Sequence, residues 1–118
     1  MFSRLRRLLR FAVGERTIAI DRDTAELLKL RYGSLTTVFD GTRSQITQNG
    51  KLAAAFPLVD RIELHRPPSQ EGTMNWFITI HVAGSRNVEV GQITDEIHAS
   101  IVAARIASIT RKSVTARP

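Results

Sequence analysis

Residues 75–82 read "NWFITIHV". In an extended chain successive side chains point to opposite faces, so Trp76, Ile78, Ile80 and Val82 share one face and Phe77, Thr79 and His81 the other. Four large apolar groups on one side of an eight-residue run predict a half-buried β-strand. The same period of two recurs elsewhere. Ile18 and Ile20 alternate with Thr17 and Ala19, Leu28, Leu30 and Tyr32 with Lys29 and Arg31, and Ile62 and Leu64 with Arg61, Glu63 and His65.

Turn chemistry separates these runs: "DRDT" at 21–24, "YGS" at 32–34, "DGT" at 40–42, "QNGK" at 48–51 and "AGSRN" at 83–87. Asn49-Gly50 is the strongest signal, because a two-residue type I′ hairpin needs positive φ at both positions. About seven short strands joined mostly by hairpins are predicted. The longest loop is "RPPSQEG" at 66–72, whose prolines bar it from a central strand.

Two segments depart from that period. Thr94 followed by Asp95 and Glu96 offers a hydroxyl cap and two first-turn acids, and Arg111 and Lys112 suit a helix end, so a helix is predicted over 95–111. Beyond it, Ser113 to Pro118 read as a frayed tail. At the other end, "MFSRLRRLLRF" opens the chain, and on a helix Phe2, Leu5, Leu8, Leu9, Ala12 and Val13 fall on an arc of about 140°. Arg4, Arg6, Arg7 and Arg10 fall on the other side, so residues 1–14 are predicted to form a basic amphipathic helical arm ending at Gly14.

Length and composition bound what this assembly does. At 118 residues the chain is the size of one domain, here residues 15–118 preceded by the arm. No cysteine is present, which removes disulfides, thiolate catalysis and cysteine-based metal sites. The longest apolar run, Leu52 to Val59, is far short of the roughly 20 residues of a membrane-spanning helix. The formal charge is +6, yet residues 1–16 carry five arginines against Glu15, leaving 12 basic and 10 acidic residues for the rest. A basic groove tracking a nucleic-acid backbone is therefore not expected.

Strands in a meander followed by one helix resemble a bacterial pleckstrin-homology-like domain. The resemblance rests on "FPLVDRIEL" at 56–64, where a Pro-Leu step leads into alternating apolar and charged residues, on the Trp76 strand, on "VEVG" at 88–91, and on "AARIASITRKSV" at 103–114. It implies a mainly β (α+β) fold, a bent antiparallel barrel closed by the C-terminal helix. Lipid-binding members of that family hold inositol phosphates with a basic first hairpin. The corresponding "DRDTAE" carries Asp21, Asp23 and Glu26 against Arg22 alone, which argues against a phosphoinositide site.

No constellation for catalysis emerges. His65, His81 and His98 come from two strands and a helix without metal-ligand spacing, and Ser34, Ser44, Ser85 and Ser100 lie in no nucleophile elbow. No metal and no cofactor are implied. Trp76 reads as a core or core-rim residue. The helix over 95–111 carries two apolar strips, Ile97, Ile101 and Ala104 on one side and Val102, Ile106 and Ile109 on another. A helix closing a barrel needs one strip, so Val102, Ile106 and Ile109 are expected to meet the arm, a second subunit or a partner protein. A single broad stripe, with Arg105 snorkelling and His98 at its rim, is the alternative.

The expected function is thus a non-catalytic cytoplasmic binding or scaffold module, acting through protein–protein contacts or self-association at its helices. Its interaction residues are Arg4, Leu5, Arg6, Arg7, Leu9 and Arg10 of the arm with Val102, Ile106 and Ile109. A second reading is a peripheral adaptor whose arm lies on anionic membrane at the inner face, and a third is an RNA-associated protein using the same arm.

Overall fold

Tight reversals, each at a residue suited to its turn, set the strand order. The computed structural model describes residues 17–66 and 75–117. The arm over 1–14, residues 15 and 16, residues 67–74 with all but Arg66 of the loop at 66–72, and Pro118 lie outside them. Nine strands are described: β1 (Ala19–Asp23), β2 (Leu27–Tyr32), β3 (Leu35–Asp40), β4 (Gln45–Gln48), β5 (Lys51–Ala55), β6 (Val59–His65), β7 (Trp76–Val82), β8 (Val88–Ile93) and β9 (Val114–Arg117). One helix, α1 (Glu96–Thr110), lies between β8 and β9. The β4–β5 reversal has Asn49 at φ 50° and Gly50 at φ 84°, as the Asn-Gly pair requires.

The fold is mainly β, arranged as two sheets. The first has the order β1-β2-β3-β4-β5, each strand antiparallel to its neighbour. The second has the order β8-β7-β6-β9, antiparallel except for β9, which runs parallel to β6. A 3₁₀ turn at Phe56–Leu58, with Pro57 near its start, carries the chain from one sheet to the other. Between the sheets lie Leu28, Leu30, Phe39 and Ile46 from the first and Ile62, Ile78, Ile80 and Val90 from the second, all fully or almost fully buried. Trp76 is buried at the margin of this core, with the Arg66 guanidinium 5.4 Å from its ring centroid.

Two expectations need correction. The sheets do not close into a barrel: β5 cannot pair with β6, because the free edge of β6 is taken by β9. At the opposite seam, a single backbone bond among the described residues joins Ile18 N–H to Gln92 O at 3.0 Å. A side chain adds to it, since Gln48 Nε2 donates to Glu89 O across the sheets at 2.8 Å. The predicted tail is the strand β9, tied to β6 through Ile62 N–H to Ser113 O and Arg66 N–H to Arg117 O, each 2.9 Å. All four β9 residues are exposed, so no hydrophobic alternation marks them; the open edge of β6 makes the strand.

The helix forms where expected, with its cap shifted by one residue. Asp95, rather than Thr94, is the N-cap, accepting from Ile97 N–H at 3.3 Å. The last turn closes at Arg111, in the left-handed region at φ 62°, whose N–H bonds to Ala107 O. Helix α1 packs chiefly on β6 and also touches β2, β3, β7, β8 and β9, so it bridges both sheets. Ala99 and Ala103, which are buried, bring its backbone close to them.

A bulge in β8 completes the core. Its buried residues run Val88, Val90, Ile93, skipping a position where the register slips between Ile78↔Gly91 and Thr79↔Glu89. Gly91 sits there at φ 142°, and a Cβ on it would lie 2.6 Å from Tyr32 Cγ and 2.9 Å from Ile18 Cγ1. Gly91→Ala is therefore expected to lower unfolding stability by about 3 kcal/mol. Gly84→Ala, at φ 70° in open space, should cost only about 1 kcal/mol. Urea denaturation of the two variants checks the difference.

Candidate interaction face

Two apolar strips on one helix raise the question of which is consumed by folding. Val102 and Ile106 are fully buried, and the half-buried Ile109 packs against the same core. The strip Val102–Ile106–Ile109, expected to be an interface, is thus the helix's contact with its own sheets. Ile97 and Ile101, one turn apart, point outward instead, 72% and 51% exposed. Ala104 and Ser108 continue that outward strip and are also exposed.

The sequence held the signal for this assignment. Ala99, Ala103 and Thr110 lie on the side of Val102 and Ile106, and small residues mark the side where a helix approaches a sheet closely. Ser100, Ala104, Ser108 and Glu96 surround the Ile97–Ile101 side. Weighing size and polarity of the neighbours, and not only the large apolar residues, separates the two. The arm residues Arg4, Leu5, Arg6, Arg7, Leu9 and Arg10 lie outside the described residues.

One flank of the outward strip is bound to β1. His98 Nε2 lies 3.1 Å from Ile18 O, a contact in which the ring donates. Seven residues further along the helix, Arg105 donates to Asp23 Oδ1 at 2.6 Å and to Thr24 O at 2.9 Å. The first strand therefore runs beside α1 in the same direction, and the chain reaches Ile18 at the helix's N-terminal end. Glu96 stands at that end too, exposed and with no polar partner among the described residues.

The other histidines belong to a polar network on the outer face of the second sheet. Glu63 accepts from His81 Nε2 at 2.8 Å and from Arg117 Nε at 2.7 Å, while Thr79 Oγ1 donates to Glu89 Oε1 at 2.8 Å. His65 Nδ1 lies 3.3 Å from Arg117 O. Each histidine thus has a different partner, and the described residues contain no group of three or more metal-ligating side chains. Glu63 is bonded to both His81 and Arg117, so the network ties β9 to β6 and β7.

A shallow groove of about 590 Å³ lies at the C-terminal end of α1, lined by Glu26, Gly41, Ser44, Phe56, Ile109 and Lys112 among others. Its Glu26 carboxylate is bonded to Thr42 Oγ1 at 3.3 Å. The helix face is the larger departure from what folding alone explains. The chain matches no family model, no curated protein and no solved structure.

Two measurements check these assignments. Ile106→Ala is expected to cost about 2 to 5 kcal/mol of stability, as for a large-to-small change in a packed core. Leu52→Ala, on the exposed β5 edge, should stay within about 0.5 kcal/mol. The second concerns acid. Arg117 first, and His81 second, hold the Glu63 carboxyl down to about 2, below its ordinary 4.5. A carboxylate depressed in the fold stabilises it fully above pH 4.5, and that contribution is lost as pH falls through about 2. In Arg117→Ala the Glu63 midpoint, followed by carboxyl NMR, should rise toward 4.5 and acid unfolding should begin at higher pH.

Proposed function

We propose that this chain is a non-catalytic protein-interaction module that binds through the outer face of α1. The observation that carries the reading is the exposure of Ile97 and Ile101 on a helix whose opposite side already fills the core. Both residues are large and aliphatic, and burial of each is worth on the order of 1.5 to 3 kcal/mol. Association with a complementary apolar surface is the way to recover that energy.

Charge specifies the partner. Asp95 and Glu96, the latter without a polar partner among the described residues, stand at one end of the strip, and Arg105 on its flank is neutralised by Asp23 at 2.6 Å. The complementary ligand is an amphipathic helix whose apolar side is bordered by basic residues, laid along α1 as in other helix–helix contacts. The pleckstrin-homology-like resemblance agrees with a binding role, since a β scaffold with a closing helix presents surfaces and no reaction centre. No helix among the described residues is long and apolar enough to cross a membrane.

The test uses the full-length chain carrying Leu5→Asp and Leu9→Asp, so that its own amphipathic segment does not compete with the probe. A labelled synthetic peptide with the sequence of residues 1–13 is titrated by fluorescence anisotropy. Adding Ile97→Glu and Ile101→Glu is expected to weaken binding about tenfold or more, whereas adding Leu52→Glu leaves it unchanged. Equal binding by all three proteins would overturn the reading. Wild-type protein that sediments with anionic vesicles irrespective of Ile97→Glu and Ile101→Glu would move the function to the membrane surface.

A further inference from the structure

We infer that the outer face of α1 pairs with the same face of a second copy of this chain, the two helices lying antiparallel about a two-fold axis. The inference rests on the reading of that face as a binding surface and names its partner. The first argument is the symmetry of the strip. Its exposed residues Ile97, Ile101, Ala104 and Ser108 are separated by four, three and four positions. At 100° per residue they fall within an arc of about 60°. The spacing is the same read in either direction, so a helix turned end for end presents its strip to the original in register. A two-fold contact requires that property, since one patch serves both subunits.

The second argument is size. With the two-fold axis passing between residues 102 and 103, Ile101 stands level with Ala104 of the second copy, and Ile97 with Ser108 of the second copy. Each large side chain therefore meets a small one and can seat between neighbouring turns of the facing helix. A parallel pairing in register would instead set isoleucine against isoleucine and hold the axes apart.

Charge supplies the third argument. Every described acid except Glu96 is ion-paired or accepts a hydrogen bond. At the other end of the helix, the side chains of Arg111 and Lys112 are likewise without a polar partner among the described residues, and Arg111 is exposed. Glu96 and Ser100 lie on the flank turned away from His98 and Arg105, the flank that β1 leaves open. An antiparallel two-fold pair brings like flanks and opposite ends together, so Glu96 of each helix comes within two residues of level with Arg111 of the other, about 3 Å along the axis. The contact occurs twice in the dimer. The basic border that the strip calls for is carried by the chain's own helix.

Two helices of fifteen residues, about 22 Å long, bury less than the roughly 1,200 Å² of a standard interface, which places this dimer among reversible contacts. Sedimentation velocity of the full-length chain from about 1 to about 500 μM should accordingly show a monomer–dimer equilibrium. Ile97→Glu with Ile101→Glu, its folding checked by circular dichroism, should stay monomeric throughout. Charge reversal reads the direction of pairing. Glu96→Arg alone sets arginine against arginine at both contacts, and Arg111→Glu alone sets glutamate against glutamate; each should weaken dimerisation about tenfold at low salt, two attractions being replaced by two repulsions. An equimolar mixture of the two variants should dimerise as wild type does, because both contacts are then attractive again.

Single charge variants that dimerise as wild type does, a mixture no tighter than either variant alone, or a dimer indifferent to Ile97→Glu and Ile101→Glu would overturn the inference. A wild type that stays monomeric over the whole range overturns it too; if Ile97→Glu and Ile101→Glu still abolish binding of the 1–13 peptide, the binding module stands with a different partner. If the chain dimerises as inferred while the peptide binds with and without Ile97→Glu and Ile101→Glu alike, the second copy stands as partner and the reading of the face as a receptor for other basic helices falls.

Discussion

The contact on which the structure depends is the burial of Val102 and Ile106 between two sheets that do not close on themselves. The first sheet ends at β5 and the second at β9, and at their other seam the backbones of the described residues meet through one hydrogen bond from Ile18 to Gln92. Two sheets with so little shared backbone bonding are held by what fills the space between them. Helix α1 does so because it touches β2 and β3 of one sheet and β6, β7, β8 and β9 of the other. Ala99 and Ala103 let its axis come close, and Val102 and Ile106 then reach the apolar faces of both. Every other feature of the helix, including which residues it leaves outside, follows from that orientation.

The sheet-level fold was legible in the sequence where two signals agreed. The Trp76–Val82 strand, the Asn49-Gly50 hairpin and the helix near 95–111 each combined a hydrophobic period with turn or cap chemistry. Where only one signal existed, the reading failed. β9 has no buried face, so its pairing depends on the open edge of β6, which no local pattern encodes. The absence of a barrel depends on the same strand. The bulge at Gly91 was visible as the spacing Val88, Val90, Ile93, but its cause, the Tyr32 ring lying against the glycine, is a contact between residues far apart in sequence.

The candidate face was half legible. Both apolar strips of the helix were evident, but nothing in their large residues alone decided between an interface at Val102, Ile106 and Ile109 and a single stripe belonging to the core. An isoleucine is compatible with either side; an alanine opposite a sheet and a serine opposite water are the informative residues. The polar network around Glu63 escaped for another reason: Arg117 acts on it from a segment read as a tail, so one of its two partners was out of sight.

The distribution of charge links these observations. Beyond residue 16 the chain is nearly balanced, with 12 basic and 10 acidic residues, and its described acids are mostly spent on its own cations and backbone. Arg105 illustrates the consequence. By binding Asp23 and Thr24 it fastens β1 along α1, and in doing so it removes its own positive charge from the flank of the exposed strip. Had that cation been left free, the strip would repel a basic helix; neutralised, it leaves Asp95 and Glu96 to set the local sign of the surface. The ion pair that holds the first strand in place therefore also sets the charge along one flank of the exposed strip.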